Sequence, residues 1–214
     1  MRKLTILLNL AIIFSSCWRN GDMDEYKGCG AEGDAKRADV RKLNRQKNRY
    51  DFPDSGQINH SITLSSMLAP GNDVNRFSEG DAAEITGFVS AVKVGGYESC
   101  NCHATEPQDR DTHIELVTDN LDSSSKDCVI VEVTPRLRAL MAAKGIDWST
   151  SALRTALLGH FITVTGWLLF DEEHVREARN TAPGNREDWR ATCWEVHPIT
   201  AIRILPSPSH SVRL

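Results

Sequence analysis

Apolar and polar residues alternate over residues 82–205 in a way that the rest of the chain does not show. The stretch AAEITGFVSAVKV predicts a first strand, in which Gly87 marks a bulge or a sharp bend. THIELVT and CVIVEV predict two more strands, separated by the turn-rich DNLDSSSKD. HFITVTGWLLF, with an internal Gly166, and TCWEVHPITAIRIL predict a fourth and a fifth strand.

Two helices are predicted between the third and fourth strands. TPRLRALMAAKG has Thr134 as a candidate N-cap, Pro135 at the first helical position and Gly145 past its end. STSALRTALLG repeats the scheme, with Ser149 or Thr150 as a candidate cap and Gly159 after the last turn. The chain therefore places a helical insert within a series of strands.

The order β-β-β-α-β-β is that of the OB-fold, a five-stranded Greek-key barrel. We therefore predict a mainly β protein, with an OB-fold-like barrel and a helical insert over residues 81–206. A small open β-sandwich is the main alternative. Because the apolar periodicity begins only near Glu84, we expect the barrel domain to fold on its own.

The first residues have the features of a secretory signal peptide, which we assign to residues 1–16. A basic start is followed by an apolar run of about eleven residues, shorter than the roughly 20 that span a membrane. The Ser-Ser-Cys ending resembles a bacterial lipobox, so we predict that Cys17 is lipidated. An ordinary signal peptide with an incidental cysteine is the alternative. In either case we expect the protein to be exported, as a membrane-anchored lipoprotein or as a periplasmic or extracellular protein.

We predict that residues 17–80 form a polar, partly basic arm or linker with a short helix. Residues 207–214 are predicted to form a flexible tail. The basic stretch AKRADVRKLNRQKNRY has too few apolar positions for a strong amphipathic face. We interpret it as a solvated helix or tether. An electrostatic contact with anionic lipid headgroups is the alternative.

The charge balance makes nucleic acid an unlikely main partner. The chain has 25 Lys and Arg against 29 Asp and Glu, a net charge of −4. It therefore lacks the basic field that dominates nucleic-acid affinity. The partners we expect are a membrane, through the lipid anchor, and an unidentified small molecule, glycan or protein.

Several short segments of the sequence resemble those of an uncharacterised family of exported bacterial proteins. They are DRDTHIEL, VIVEVTPRLRALM, VTGWLLFDEEH and WRATCWEVHPITAI, with GCGAEGDAKRADVRKLN upstream. The resemblance covers most of the mature chain. It implies bacterial export and a shared fold, and it implies no catalytic residues.

Acidic and histidine side chains follow one face of two predicted strands. Residues two apart on a strand share a face, so Asp111, His113 and Glu115 lie together, as do Glu195 and His197. If both faces point to the same cleft, they form a carboxylate–imidazole group. Such a group suits a divalent ion, zinc or manganese, or acid–base chemistry near neutral pH.

The alternative is a strand with a polar outer face and no ligand. The spacing matches no established metal motif, so our default expectation is a protein without a cofactor and a divalent metal is a possibility. The His-Pro pair at residues 197–198 also has a structural explanation, since it can mark a bulge that ends the strand pairing.

The cysteines predict at least one crosslink. If Cys17 is lipidated, an odd number remains, so the others cannot all pair within the chain; they are Cys29, Cys100, Cys102, Cys128 and Cys193. In an exported protein we expect a disulfide from Cys100 or Cys102, with Cys29 as one candidate partner that would tie the arm to the barrel.

Other arrangements of the cysteines stay open. Cys100, Cys102, His103 and His113 could instead form a tetrahedral zinc site, although structural sites space their first two cysteines farther apart. Free thiols are the third possibility. Cys128 and Cys193 each begin a predicted strand and could pair only if their Cα atoms lie within about 7 Å.

Two functions follow from these patterns. The first is a binding or structural module of the cell envelope, because OB-folds bind ligands across their second and third strands. The second is a metal-assisted hydrolase that uses the His113, Glu115, Glu195 and His197 face, with Arg136 and Arg138 as candidate phosphate contacts. No familiar hydrolase, nucleotide-binding or protease motif is present in the sequence, so we favour binding over catalysis.

Overall fold

The structure is a computed structural model that describes residues 23–119 and 125–206. The predicted signal peptide, the predicted lipidation site Cys17 and the predicted tail at 207–214 lie outside the described residues. Within the described ranges, no helix is long and apolar enough to cross a membrane.

Eleven helices and strands make up the described chain, apart from short 3-10 turns. They are β1 (Glu25–Tyr26), β2 (Cys29–Gly30), α1 (Ala38–Lys47), α2 (Leu64–Leu68), β3 (Ala82–Val94), β4 (Thr112–Val117), β5 (Val129–Val133), α3 (Pro135–Ala143), α4 (Thr150–Leu157), β6 (Phe161–Phe170) and β7 (Trp194–Ile204).

Strands β3 to β7 form a closed barrel in the order β3-β4-β5-β7-β6. All neighbouring pairs are antiparallel except β5 and β7, which pair in parallel through Val131 and Val196. Helices α3 and α4 lie between β5 and β6 in the chain. This topology confirms the predicted five-stranded, OB-fold-like barrel with a helical insert, and its closure excludes the open sandwich.

The two glycines predicted inside strands stand where another segment approaches closely. A Cβ atom on Gly166 would lie 2.3 Å from the carbonyl oxygen of Pro198, and one on Gly87 would lie 2.8 Å from Leu64 Cδ2. The register between β6 and β7 shifts on both sides of Gly166, so the bulge near the His-Pro pair is present. The strand does not end there, because β7 continues to Ile204.

Both predicted helix starts have the expected caps. The Thr134 side chain accepts a hydrogen bond from the backbone N–H of Leu137, and the Ser149 side chain accepts one from that of Ala152. A side-chain acceptor at this position satisfies a backbone donor that the helix itself cannot pair.

The arm contributes to the barrel core. Ile62, Leu64 and Met67 are buried in the same apolar cluster as the inward-facing residues of the barrel strands. The arm–barrel boundary at residue 81 stays a prediction. These contacts, however, conflict with the expectation that residues 81–206 fold on their own.

The basic stretch forms α1, and its charges are largely matched by carboxylates. Arg41 and Arg45 both pair with Glu32, and Arg49 pairs with Asp51. Matched charges attract anionic lipid weakly, so the structure favours the solvated helix over a headgroup contact.

The predicted crosslink between arm and barrel is present as a disulfide between Cys29 and Cys102. It joins β2 to the loop that precedes β4. Cys100, Cys128 and Cys193 lie outside this disulfide and are buried. The Cys128 thiol faces the carbonyl of Trp189, whereas that of Cys193 contacts the Thr181 hydroxyl, so these two cysteines do not pair with each other.

Candidate functional site

Charged side chains cover the outer face of β4, β5 and β7. In these strands Ile114, Val131 and Val196 point into the barrel core. Their neighbours along each strand therefore point outward, and these are His113, Glu115, Glu132, Glu195 and His197, together with the apolar Ile130. The register pairs His113 directly with Glu132, which brings the predicted face of β4 against a carboxylate of β5.

Loops and the arm bury this outer face. Residues 95–111 between β3 and β4, residues 171–193 between β6 and β7, and Lys47 of α1 lie over it. They leave a cavity of about 400 Å³, which we call the polar pocket. Its lining includes His113, Glu132, His174, Trp189, Arg190 and Glu195. The pocket lies over the second and third barrel strands, the usual ligand position of this fold.

Glu132 lies between the two histidines of the predicted face. Its Oε1 is 2.9 Å from His113 Nδ1, and its Oε2 is 3.5 Å from His197 Nδ1. His197 Nδ1 also lies 3.2 Å from Glu195 Oε2. Both histidines therefore lie in one cluster, and its central member is Glu132, which was not among the predicted site residues.

Two of the predicted ligands already have cationic partners. Glu115 pairs with Lys93 and Glu195 with Arg190, both at 2.6 Å. His113 and Lys93 lower the pKa of Glu115 to about 2. Burial alone would raise the pKa of Glu195, but Arg190 brings it to about 2. The predicted four-residue group of His113, Glu115, Glu195 and His197 is therefore not one ligand set.

A different set has the geometry for a metal ion. Asp111, Glu132 and His197 each offer one ligand atom, and these atoms lie within 4.8 Å of one another. The ligand atoms of a second group, Glu98, Cys100 and Asp111, also lie within 4.8 Å of one another, and the two groups share Asp111. These acidic and imidazole groups could hold a metal ion.

Each member of the first set has a buried polar atom without a hydrogen-bond partner. The atoms are Asp111 Oδ1, Glu132 Oε2 and His197 Nε2. Leaving a buried polar group unsatisfied costs about 1–3 kcal/mol, and more for a charged one. Three such atoms in residues that lie close together in space would be satisfied by a bound ion or water.

Burial and neighbouring charges shift the pKa values of these ligands. Burial would lower the pKa of His197, but the carboxylates of Glu195, Glu132 and Asp111 raise it to about 9. Burial raises the pKa of Asp111 to about 7, against the opposing effect of His197. A metal ion needs deprotonated ligands, so its binding here would release protons.

A buried ion-pair network adjoins the cluster. Lys47 Nζ lies 2.7 Å from Glu98 Oε2 and 2.9 Å from Asp171 Oδ2. Burial would lower the pKa of Lys47, but these carboxylates hold it well above its usual value. The arm therefore supplies a cation to the site on the barrel.

Carboxylates outnumber permanent cations around the pocket. The acidic side chains are Glu98, Asp111, Glu115, Glu132, Asp171 and Glu195, and the basic ones Lys47, Lys93 and Arg190. Either protonated histidines or a bound cation must balance the remaining negative charge, because unbalanced charge is costly in a buried site.

The structure rules out the predicted tetrahedral zinc site. Cys102 is in the disulfide and exposed His103 pairs with Asp34, so the tetrahedral zinc set of Cys100, Cys102, His103 and His113 does not form.

The predicted anion contacts, Arg136 and Arg138, have structural roles instead. All three nitrogens of the buried Arg136 guanidinium donate, to Met23 O, Asn48 Oδ1 and Cys29 O. Arg138 donates to the carbonyls of Trp148, Gln108 and Arg110 and to the Thr112 hydroxyl. These hydrogen bonds join α3 to the arm and to the loop before β4, and every guanidinium nitrogen of both residues already donates to the protein.

Five residues of the site were not predicted from the sequence: Glu132, Lys47, Asp171, His174 and Arg190. The sequence does indicate Glu132, because it lies between Val131 and Val133 and is the only charged residue of the predicted strand VIVEV. The other four lie in segments without strand periodicity, where no pattern indicates which side chains turn toward the barrel.

No family model matches this chain, and no curated protein matches it.

Proposed function

We propose that this protein is an exported β-barrel binding module of the cell envelope that binds a divalent metal ion, zinc or manganese, through Asp111, Glu132 and His197. One observation carries the proposal: these three residues bring ligand atoms within 4.8 Å of one another, and each also has a buried polar atom without a hydrogen-bond partner.

The donor set suits this class of ion. Carboxylate oxygens and a neutral imidazole are ligands of both zinc and manganese. Three protein ligands leave at least one coordination position for water or a ligand. Because Glu132 also lines the polar pocket, an ion bound here would face it. A metal-assisted hydrolase needs the same arrangement and is the second candidate; turnover of a phosphodiester by the metal-loaded protein would decide in its favour.

Adding zinc or manganese to chelator-treated protein should raise its melting temperature. A ligand that prefers the folded state stabilises it by about 2.7 kcal/mol at a hundredfold excess over its dissociation constant. For a protein of this size that corresponds to roughly 5–10 °C, which calorimetry measures directly.

Glu132→Gln should abolish this response, because it removes one ligand charge while keeping the side-chain shape. Glu84→Gln is the matched control, since Glu84 is exposed on β3 and should keep the full response. A wild-type protein that does not respond to either metal, or a Glu132→Gln variant that responds like wild type, would contradict the proposed site.

Export and lipid anchoring rest on the signal-peptide pattern and on the resemblance to exported bacterial proteins. Cells given a radioactive fatty acid should label the wild-type protein and not Cys17→Ser, because the thiol is the predicted attachment atom. Trp18→Phe, next to it, is the control and should be labelled. Equal labelling of Cys17→Ser would leave an exported protein without this anchor.

A further inference from the structure

Arg190 presents unused hydrogen-bond donors at the polar pocket. Its side chain is fully buried and lines the pocket. Nε donates to the carbonyl of Thr192 at 2.7 Å, and Nη1 donates to Glu195 Oε1 at 2.6 Å. Nη2 is buried without a partner. A guanidinium group has five donors in a fixed plane, so the Nη2 donors need an acceptor that the described residues do not supply.

A second unpartnered nitrogen lines the same pocket. His113 uses Nδ1 to contact Glu132, and its Nε2 is buried without a hydrogen bond. The nearest carboxylate oxygen to that Nε2, Glu115 Oε1, is 3.7 Å away, beyond hydrogen-bond distance. Arg190 and His113 thus bring to one cavity two buried nitrogens that lack a hydrogen bond, although His113 Nε2 keeps a longer ion-pair contact with Glu115.

The indole ring of Trp189 lies close to both His113 and Arg190. The Trp189 ring centroid lies 5.6 Å from that of His113 and 5.4 Å from Arg190 Cζ. Trp189 therefore gives the pocket an aromatic wall beside its polar groups. A cavity of about 400 Å³ has the size of a small-molecule site, for which a few fixed polar groups on an apolar wall are typical.

The surrounding carboxylates restrict what can bind. A bare anion would be repelled by Glu132, which lines the pocket and forms ion pairs with histidines but not with a lysine or an arginine among the described residues. A cation held by Glu132 would remove that repulsion and would supply a second attraction. An anion that contacts both the cation and Arg190 Nη2 is then the ligand that satisfies the unpartnered donors.

We propose that the polar pocket binds a phosphate ester, whose phosphate group spans the metal ion and Arg190 while its organic part lies against Trp189. The inference rests on the proposed metal site, because the phosphate shares the ion. Phosphate is favoured over carboxylate because its additional oxygens let it contact the ion and the guanidinium fork together.

The experiment has two stages, which separate this inference from the metal site itself. First, electron paramagnetic resonance of Mn²⁺ measures whether the wild-type protein binds the ion. Second, the ³¹P relaxation of phenyl phosphate is measured with the Mn²⁺-loaded protein. We expect saturable relaxation enhancement that requires both the protein and the ion, and much weaker competition by benzoate than by inorganic phosphate.

Arg190→Lys should weaken phenyl phosphate binding at least tenfold and change Mn²⁺ affinity less than threefold. Lysine keeps the charge and loses the planar fork. Arg203→Lys is the matched control, since Arg203 is exposed near the end of β7, and it should bind phenyl phosphate like wild type. If Arg190→Lys does not fold, His113→Gln replaces it, with a severalfold loss of phenyl phosphate affinity expected.

Each result of this experiment either supports or overturns the phosphate-ester proposal. No Mn²⁺ binding overturns both the metal site and this inference. Bound Mn²⁺ without saturable phenyl phosphate binding overturns this inference alone. Unchanged phosphate affinity in folded Arg190→Lys, or in His113→Gln when it takes that place, also overturns it, as does benzoate binding as tightly as phenyl phosphate.

Discussion

Lys47→Ala should lower the free energy of unfolding by about 3–5 kcal/mol, a large share of the 5–15 kcal/mol typical of a native protein. Lys47 is almost fully buried and lies within 3 Å of carboxylate oxygens of Glu98 and Asp171. Removing it leaves Asp171, which is itself buried, without its main cationic partner. An unpaired buried charge is costly, so the loss exceeds that of an ordinary surface ion pair.

Urea denaturation at pH 7 measures this effect, and Lys42→Ala is the control. Lys42 lies on the exposed side of the same helix, so its removal should change the unfolding free energy by less than about 0.5 kcal/mol. Asp171→Asn should recover part of the stability of Lys47→Ala because it removes the unpaired charge. A Lys47→Ala variant as stable as Lys42→Ala would show that water screens the pair.

The same variant has a defined pH dependence. Burial would raise the pKa of Asp171, but Lys47 and His174 hold it well below 3.8. A carboxyl group with a lowered folded-state pKa contributes stability above about pH 4 and loses it as the pH falls through the folded-state value. The difference between wild type and Lys47→Ala should therefore shrink as the pH falls below 4. A constant difference down to pH 2 would contradict this account.

The barrel could be predicted because its strands follow local rules. The alternation of apolar and polar residues predicted both ends of β3. The cap Thr134 predicted the start of α3, and the two candidates Ser149 and Thr150 predicted the start of α4 to within one residue. The same alternation places His113 and His197 on an outer face, whichever strands become neighbours. Alternation does not predict which strands pair with each other. The pairing of β4 with β5 brings Glu132 next to His113.

The rest of the site depends on long-range packing that leaves no local pattern. Lys47 reaches Asp171 across more than 120 residues, and Arg190 comes from a loop without periodicity. Arg136 and Arg138 show the converse case. Their position after a strand suggested an anion contact, but the backbone carbonyls of the arm and of the loop before β4 accept their hydrogen bonds. Such acceptors can be recognised only once the fold is known.

Removing the arm should have a larger effect than any single substitution. The fragment 81–206 loses Ile62, Leu64 and Met67 from the main apolar cluster. Burying one such side chain contributes about 1.5–3 kcal/mol, so the three together are comparable with the whole stability of many domains. The fragment also loses the Cys29–Cys102 disulfide. We therefore expect it to be molten or unfolded, contrary to what the apolar periodicity alone suggests.

The matched control for this deletion is the fragment 23–206, which has the same C-terminal end and keeps the described part of the arm. It should unfold cooperatively in urea, whereas 81–206 should show a shallow transition and bind a hydrophobic dye. Met67→Ala in the full chain tests the same packing at one position, with an expected loss of about 2–5 kcal/mol. Ser65→Ala, on the exposed side of α2, should be near neutral because it removes no buried atoms. A fragment 81–206 that unfolds cooperatively at the same urea concentration as 23–206 would show that the barrel core is complete without the arm.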